Sequence, residues 1–192
     1  MGVEFEIKFR ATEEILDEID RSIQGKTKHY RMETTYYDTP DGALAARLYT
    51  LRRRMENDIS VCTLKTPAGG NGRQEYEVEE KTIEDALPEL CKLSQIADLP
   101  KLLENGVAPL CGAKFQRIAK TVSFMDSCLE IALDKGVLIG GGKEIDLREV
   151  EVELKEGTKE AALGYAAVLA ERFGLIQETQ SKFKRARDLA KG

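Results

Sequence analysis

VEFEIKFR, residues 3–10, alternates without a slip. Val3, Phe5, Ile7 and Phe9 fall on one face of an extended chain, and Glu4, Glu6 and Lys8 on the other. A period of two predicts a strand. The decisive feature is its polar face, which carries only ionised groups. REVEVELK (148–155) repeats this, with Glu149, Glu151 and Glu153 opposite Val150, Val152 and Leu154. In QEYEVEE (74–80), Glu75, Glu77 and Glu79 oppose Tyr76 and Val78. In CLEIALD (128–134), Glu130 and Asp134 oppose Leu129, Ile131 and Leu133, and in YTLRRRM (49–55) Arg52 and Arg54 share a face.

One such face is an ordinary solvent face. Five strain that reading, because like charges in a row and across strands cost stability and a plain surface mixes signs. Acids gathered on some strands and arginines on others make sense if the faces look at one another. SVCTLK (60–65), KFQRIAKTVSF (114–124) and KGVLI (135–139) bring the candidate strands to eight, with a turn expected at Asp134-Lys135-Gly136. Helical patterns occur at 12–24, 82–96, 99–106, 158–174 and 181–190, the first two opening on the cap-like Thr12 and Thr82. The expected fold is α+β: a largely antiparallel sheet curled into a barrel with a charged lumen, an apolar exterior and helices packed outside.

Such a lumen suits a polyanion with a divalent metal. Carboxylates hold a hard cation through oxygen. Arg grips phosphate oxygens with paired donors and Lys as a point charge. The Gly-rich run PAGGNGR (67–73) lacks both the spacing and the following helix of a phosphate-binding loop and reads as a hairpin.

Composition narrows the setting. The chain has 192 residues, and 42% hydrophobic content is enough for a real core in a single domain spanning 1–192. Thirty-four acids against 29 bases give a net charge of -5, which argues against nucleic acid binding through bulk charge. No apolar stretch is long enough to span a membrane, and the acidic N-terminus does not read as a signal peptide. Cys62, Cys91, Cys111 and Cys128 lie far apart, and His29 is the sole histidine, so a structural zinc site is not offered. Free thiols and a cytoplasmic setting are expected. Tyr36, Tyr37 and Phe115 read as core or wall residues, not substrate stackers.

The same stretches resemble the CYTH, or triphosphate tunnel metalloenzyme, superfamily. Glu4-Phe5-Glu6-Ile7-Lys8 is similar to its opening ExExK motif. YYDTPDGALAARLYTLRRR (36–54), TLK (63–65), REVEVELKEG (148–157) and QSKFKRA (180–186) follow in the family's order. The resemblance implies an eight-stranded antiparallel closed β-barrel, a tunnel surrounded by helices. It implies Glu4, Glu6, Glu151 and Glu153 as metal-holding acids for Mg²⁺ or Mn²⁺. Lys8, Arg52, Arg54, Lys65, Arg117 and Lys182 match phosphate-binding positions, with Arg185 and Arg73 as additions. Glu75, Glu77, Glu130, Asp134 and Glu149 match further lumen acids. Lys8, Lys65, Arg54, Glu151 and Glu153 are the candidate catalytic set, with Glu151 or Glu153 orienting water.

The activity implied is metal-dependent hydrolysis of a small-molecule triphosphate, with inorganic triphosphate giving diphosphate and phosphate, by a monomer or homodimer. Related alternatives are adenylate cyclisation and hydrolysis of thiamine or nucleoside triphosphates. A non-catalytic polyphosphate-binding module would use the same basic groups without needing the acids. An interaction domain with solvated charged strands would tolerate reversal of Arg54.

Overall fold

The computed structural model describes residues 3–68 and 73–191; the side chains of residues 3, 4 and 191 lie outside the description, as does most of the expected glycine-rich hairpin. In chain order the elements are β1 (Val3–Glu4), β2 (Glu6–Arg10), α1 (Glu13–Ser22), β3 (Lys26–Asp38), α2 (Ala43–Ala46), β4 (Thr50–Glu56), β5 (Ile59–Pro67) and β6 (Arg73–Glu79). Then come α3 (Ile83–Ser94), α4 (Leu99–Leu102), β7 (Ala108–Phe124), β8 (Ser127–Gly140), β9 (Lys143–Glu156), α5 (Lys159–Phe173), β10 (Ile176–Gln177) and α6 (Lys182–Lys191).

The eight-stranded closed barrel is not what forms. The strands make one 10-stranded antiparallel sheet in the order β1-β6-β5-β4-β3-β7-β8-β9-β2-β10, with β1 and β10 as its edges. The N-terminal run is divided at Phe5. Its first part pairs with β6 through Val3 and Glu4, and its second with β9 through residues 6–10. The two ladders share no strand element, so the hydrogen-bonded ring stays open at that point. Because adjoining segments of one run pair with β6 and with β9, the sheet is strongly curled and has a concave face.

The apolar strand faces point away from the concavity, as the alternation demands. Ile7 and Phe9 of β2, Leu129, Ile131 and Leu133 of β8, and Val150 and Val152 of β9 pack under α1 (Leu16, Ile19) and α5 (Ala162, Ala166, Leu169, Phe173). Leu51, Cys62 and Leu64 of β4 and β5 pack under Leu44 of α2, Ile83, Ala86 and Leu90 of α3, and Leu99 of α4. Thr12, Thr82 and Thr158 each cap a helix by accepting from the backbone N–H of Ile15, Asp85 and Ala161.

The sixth helix breaks the expectation that helices cover only the outside. Phe183 and Ala186 of α6 pack with Met32, Tyr36, Ala113, Phe115, Leu138 and Leu147. Met32, Tyr36 and Phe115 belong to the concave face, so α6 covers one end of that face. Gly140 permits the approach: a Cβ there would meet the backbone oxygen of Ala186 at 2.1 Å.

The expected turn at Asp134-Lys135-Gly136 is absent. Those residues lie inside β8, and the actual reversals are at Met125-Asp126 and Gly141-Gly142, all four with positive φ. Gly136 is a close-packing residue, since a Cβ would come within 2.1 Å of the Lys114 carbonyl oxygen. The unforeseen elements are the short α2 and β10 and, above all, β3, which joins the two halves of the sheet between β4 and β7.

Candidate active site

Alternation along each strand sends its charged set into the concavity, and register brings the sets together. The result is a cleft of about 590 Å³. Its lining includes Glu6 and Lys8 of β2, Arg52 and Arg54 of β4, Lys65 of β5, and Arg73, Glu75 and Glu77 of β6. Arg117 of β7, Glu130 of β8, Glu151 and Glu153 of β9, and Lys182 of α6 complete the expected group. Asp134, Glu149 and Arg185 are not on the lining; they lie beneath it. The Glu4 side chain falls outside the description. Lys28, Glu56 and Lys155 also line the cleft and were not anticipated. The same-face rule points to two of them, because Glu56 follows Arg52 and Arg54 at steps of two, and Lys155 follows Glu151 and Glu153.

The floor is a buried ion-pair network. Arg117 donates from Nε and Nη2 to both oxygens of Asp134, each at 2.7 Å, and from Nη2 to Glu151 at 2.5 Å. Lys182 Nζ reaches Asp134 at 2.9 Å, Glu149 at 3.0 Å and Glu151 at 2.6 Å. Arg185 pairs with Glu149 and, at 3.5 Å, with Glu178. Glu178 in turn accepts from Arg10 Nε at 2.6 Å. Arg117, Lys182, Arg185 and Arg10 thus balance Asp134, Glu149, Glu151 and Glu178 at and beneath the cleft floor, which is how buried charge is tolerated. Burial alone would raise Glu151, but Lys182 and Arg117 outweigh it and hold the carboxyl well below its usual range. Glu149 goes the other way: burial pushes it up despite Lys182 and Arg185. Burial opposes the charge of Lys182, yet Asp134, Glu151 and Glu149 together raise its pKa.

The opposite wall is basic. Arg54 pairs with Glu56, Lys65 with Glu75, and Arg52 lies 3.8 Å from Glu77. Arg73 donates to Thr50 Oγ1 at 3.2 Å. Arg54 is held at a disadvantage. Burial, and after it the charges of Arg52 and Arg117, depress its pKa. Its Nε is buried without a hydrogen-bond partner. A cation crowded by cations, with a donor unused, has a local deficit of negative charge.

The acidic wall has a different logic. Glu6 stands opposite Glu153 across β2 and β9, and Glu153 opposite Glu130 across β9 and β8. Lys8 lies 2.8 Å from Glu6, and Lys155 lies 2.7 Å from Glu153 and 3.6 Å from Glu130. Among the described residues, no three Asp, Glu, His or Cys side chains are gathered closely enough to hold a metal ion as they stand. The donor chemistry nevertheless fits a hard cation: three neighbouring carboxylates in register, oxygen donors only, facing a cleft. Glu151 lies one step deeper, opposite Lys8, and is engaged by Arg117 and Lys182.

The cysteines take no part. Burial pushes the Cys62 thiol up to about 11 and Cys111 up to about 12, so neither is a thiolate at neutral pH. His29 is exposed. No helix among the described residues is long and apolar enough to cross a membrane.

A curated relative, an inorganic triphosphatase of Haemophilus influenzae, is 32% identical over 155 residues, covering 79% of this chain and 44% of that protein. The chain therefore spans less than half the length of that relative. HpAC1 of Hippeastrum, described with a dominant triphosphatase activity, matches with a TM-score of 0.67 at 17% identity, covering 98% of this chain and 96% of that one. The PH1819 protein of Pyrococcus horikoshii matches with a TM-score of 0.65 at 20% identity, covering 96% and 98%. At these identities the two structures show a shared fold. The CYTH domain matches residues 2–186, and the chain belongs to that family.

Proposed function

We propose that the chain hydrolyses a triphosphate, and that its substrate is inorganic triphosphate. The observation that carries this reading is Arg54: it lines the cleft, is crowded by Arg52 and Arg117, and has its Nε buried without a hydrogen-bond partner. Glu56 offsets part of that crowding, and a bound polyanion would offset the rest by reaching Arg52, Arg54, Lys65 and Arg117 together. The activity of the Haemophilus influenzae relative supports it.

The phosphate chain lies against the basic wall. Arg52 and Arg54 take nonbridging oxygens with paired donors, Arg117 adds its remaining Nη1, and Lys8, Lys65 and Lys182 add point charges. Arg73 extends the basic wall, and Arg185, beneath the lining, acts through its pairing with Glu149. Water attacks the terminal phosphorus, the bond to the bridging oxygen breaks, and diphosphate leaves. The cations offset charge on the leaving oxygen, so the acceleration comes from positioning and fixed electrostatics. Glu151, held deprotonated, keeps Arg117 and Lys182 in place. We assign orientation of the attacking water to Glu153. A divalent cation, Mg²⁺ or Mn²⁺, held by Glu6, Glu153 and Glu130, would neutralise phosphate oxygens and make water a better nucleophile. Glu75 and Glu77 offset the mutual repulsion of the basic wall through Lys65 and Arg52.

The test is turnover of tripolyphosphate, ATP and thiamine triphosphate with each metal. Preferential release of phosphate from tripolyphosphate is expected. No turnover of any of the three overturns the hydrolase reading.

A further inference from the structure

Phe115 is 7% exposed, sits on β7 next to the cleft floor and lines the cleft. Its ring faces two of the site's cations. Lys182 Nζ lies 5.5 Å from the ring centroid and the Arg117 guanidinium carbon 5.7 Å. Both distances fall within the range in which an aromatic face attracts a cation. The two cations come from different elements, α6 and β7. Their other buried partners are the acids Asp134, Glu149 and Glu151.

An aromatic face attracts positive charge without accepting it in a conventional hydrogen bond and without cancelling it. A carboxylate at the same place would consume N–H donors and repel phosphate. An aliphatic side chain would offer no attraction. We propose that Phe115 is a positioning residue. Its ring helps to hold the Lys182 and Arg117 heads at the cleft floor without drawing on their N–H groups, so that Arg117 Nη1 stays available to the phosphate chain and Lys182 acts on it as a point charge. This inference rests on the reading of the cleft as a triphosphate site. It also gives the residue a duty beyond filling the core with Met32, Tyr36 and Phe183.

Truncation of Phe115 would leave a cavity in a packed region, so the informative change is one of charge distribution at constant shape. Phenylalanine analogues with one, two and three ring fluorines, introduced at position 115, progressively remove the negative ring face. Tripolyphosphate binding is measured by calorimetry, and kcat and KM by phosphate release. The dissociation constant and KM are expected to rise stepwise with fluorination, by roughly three- to tenfold at the trifluoro ring. The melting temperature should stay near that of the unmodified protein. A flat series, or affinity that rises with fluorination, overturns the positioning role while leaving the triphosphatase reading intact. If the unmodified protein neither binds nor turns over tripolyphosphate, the reading of the cleft falls, and this inference with it.

Discussion

Glu6 and Glu153 face each other directly across β2 and β9, two carboxylates at one level of the cleft wall. Glu130 extends the row across the next ladder. Like charges so opposed cost stability, and Lys8 and Lys155 offset part of that cost. Chelation of divalent cations is therefore expected to abolish turnover, with recovery on adding Mg²⁺ or Mn²⁺. Glu153→Gln should lower kcat by about a hundredfold. It removes a half-exposed ion pair and a repulsion together, so its melting temperature should stay within about 3 °C of wild type. Full activity of this variant would remove Glu153 from the proposed chemistry.

Arg54 should matter more to function than to stability. Its charged form is disfavoured in the folded state by burial and then by Arg52 and Arg117. Arg54→Met keeps much of the packing volume and relieves that repulsion, while it leaves Glu56 without its ion-pair partner. Its melting temperature is expected to stay within a few degrees of wild type. Tripolyphosphate affinity should fall by at least about tenfold, since a charge-assisted donor pair is lost. Unchanged affinity would mean that Arg54 is a wall residue that does not touch the ligand.

Lys182 should behave in the opposite way. It is bonded to Asp134, Glu149 and Glu151, and two of those acids are fully buried. Lys182→Met leaves their charge uncompensated, a loss of about 3–5 kcal/mol and a drop in melting temperature of roughly 10 °C. Adding Glu149→Gln to the lysine variant should return part of the loss, because the two sites share one network. Additive losses in the double variant would contradict the network.

Much of this site could be read from alternation alone. Glu149, Glu151 and Glu153 are spaced so that no extended conformation can separate them, and the same holds for Arg52 and Arg54. What alternation does not encode is closure. Whether the sheet forms a ring depends on one break in pairing at Phe5, where the N-terminal run passes from β6 to β9. The third strand was hidden for a different reason. Met32, Thr34 and Tyr36 on its concave face and Asp38 at its end are buried, and its first residues are exposed on both faces. Buried Thr and Asp look like loop residues in a sequence. In the fold, Asp38 accepts from the N–H groups of Thr39 and Leu44 and so anchors the start of α2. Glycine misled similarly at Gly136, where it serves a close strand approach and not a turn. The depth order of the acids was also not legible: Asp134 and Glu149 share faces with cleft residues yet lie under α6, whose docking depends on Phe183 and Ala186.

The buried network also fixes how stability responds to pH. Burial opposes the charge of Glu178, but Arg10, the Gln180 N–H and Arg185 hold its carboxyl below the usual range. Glu151 is held low by Lys182 and Arg117. A carboxyl depressed by folding stabilises above its unfolded value, about pH 4.3, and that contribution is lost as pH falls through the lowered folded value. Glu149, raised by burial, acts in the reverse sense and recovers a little stability as it protonates. Lys8 and Lys182 are raised, so their contribution is complete below about pH 10.4 and disappears as pH climbs through the higher folded values. Melting temperature should therefore be nearly level from about pH 6 to pH 9 and fall on both sides. Glu178→Gln should flatten the acid limb measured by calorimetry between about pH 5 and pH 3, because it deletes one of the depressed carboxyls. An acid limb of unchanged slope in that variant would show that the Arg10–Glu178–Arg185 contact contributes nothing to the folded state.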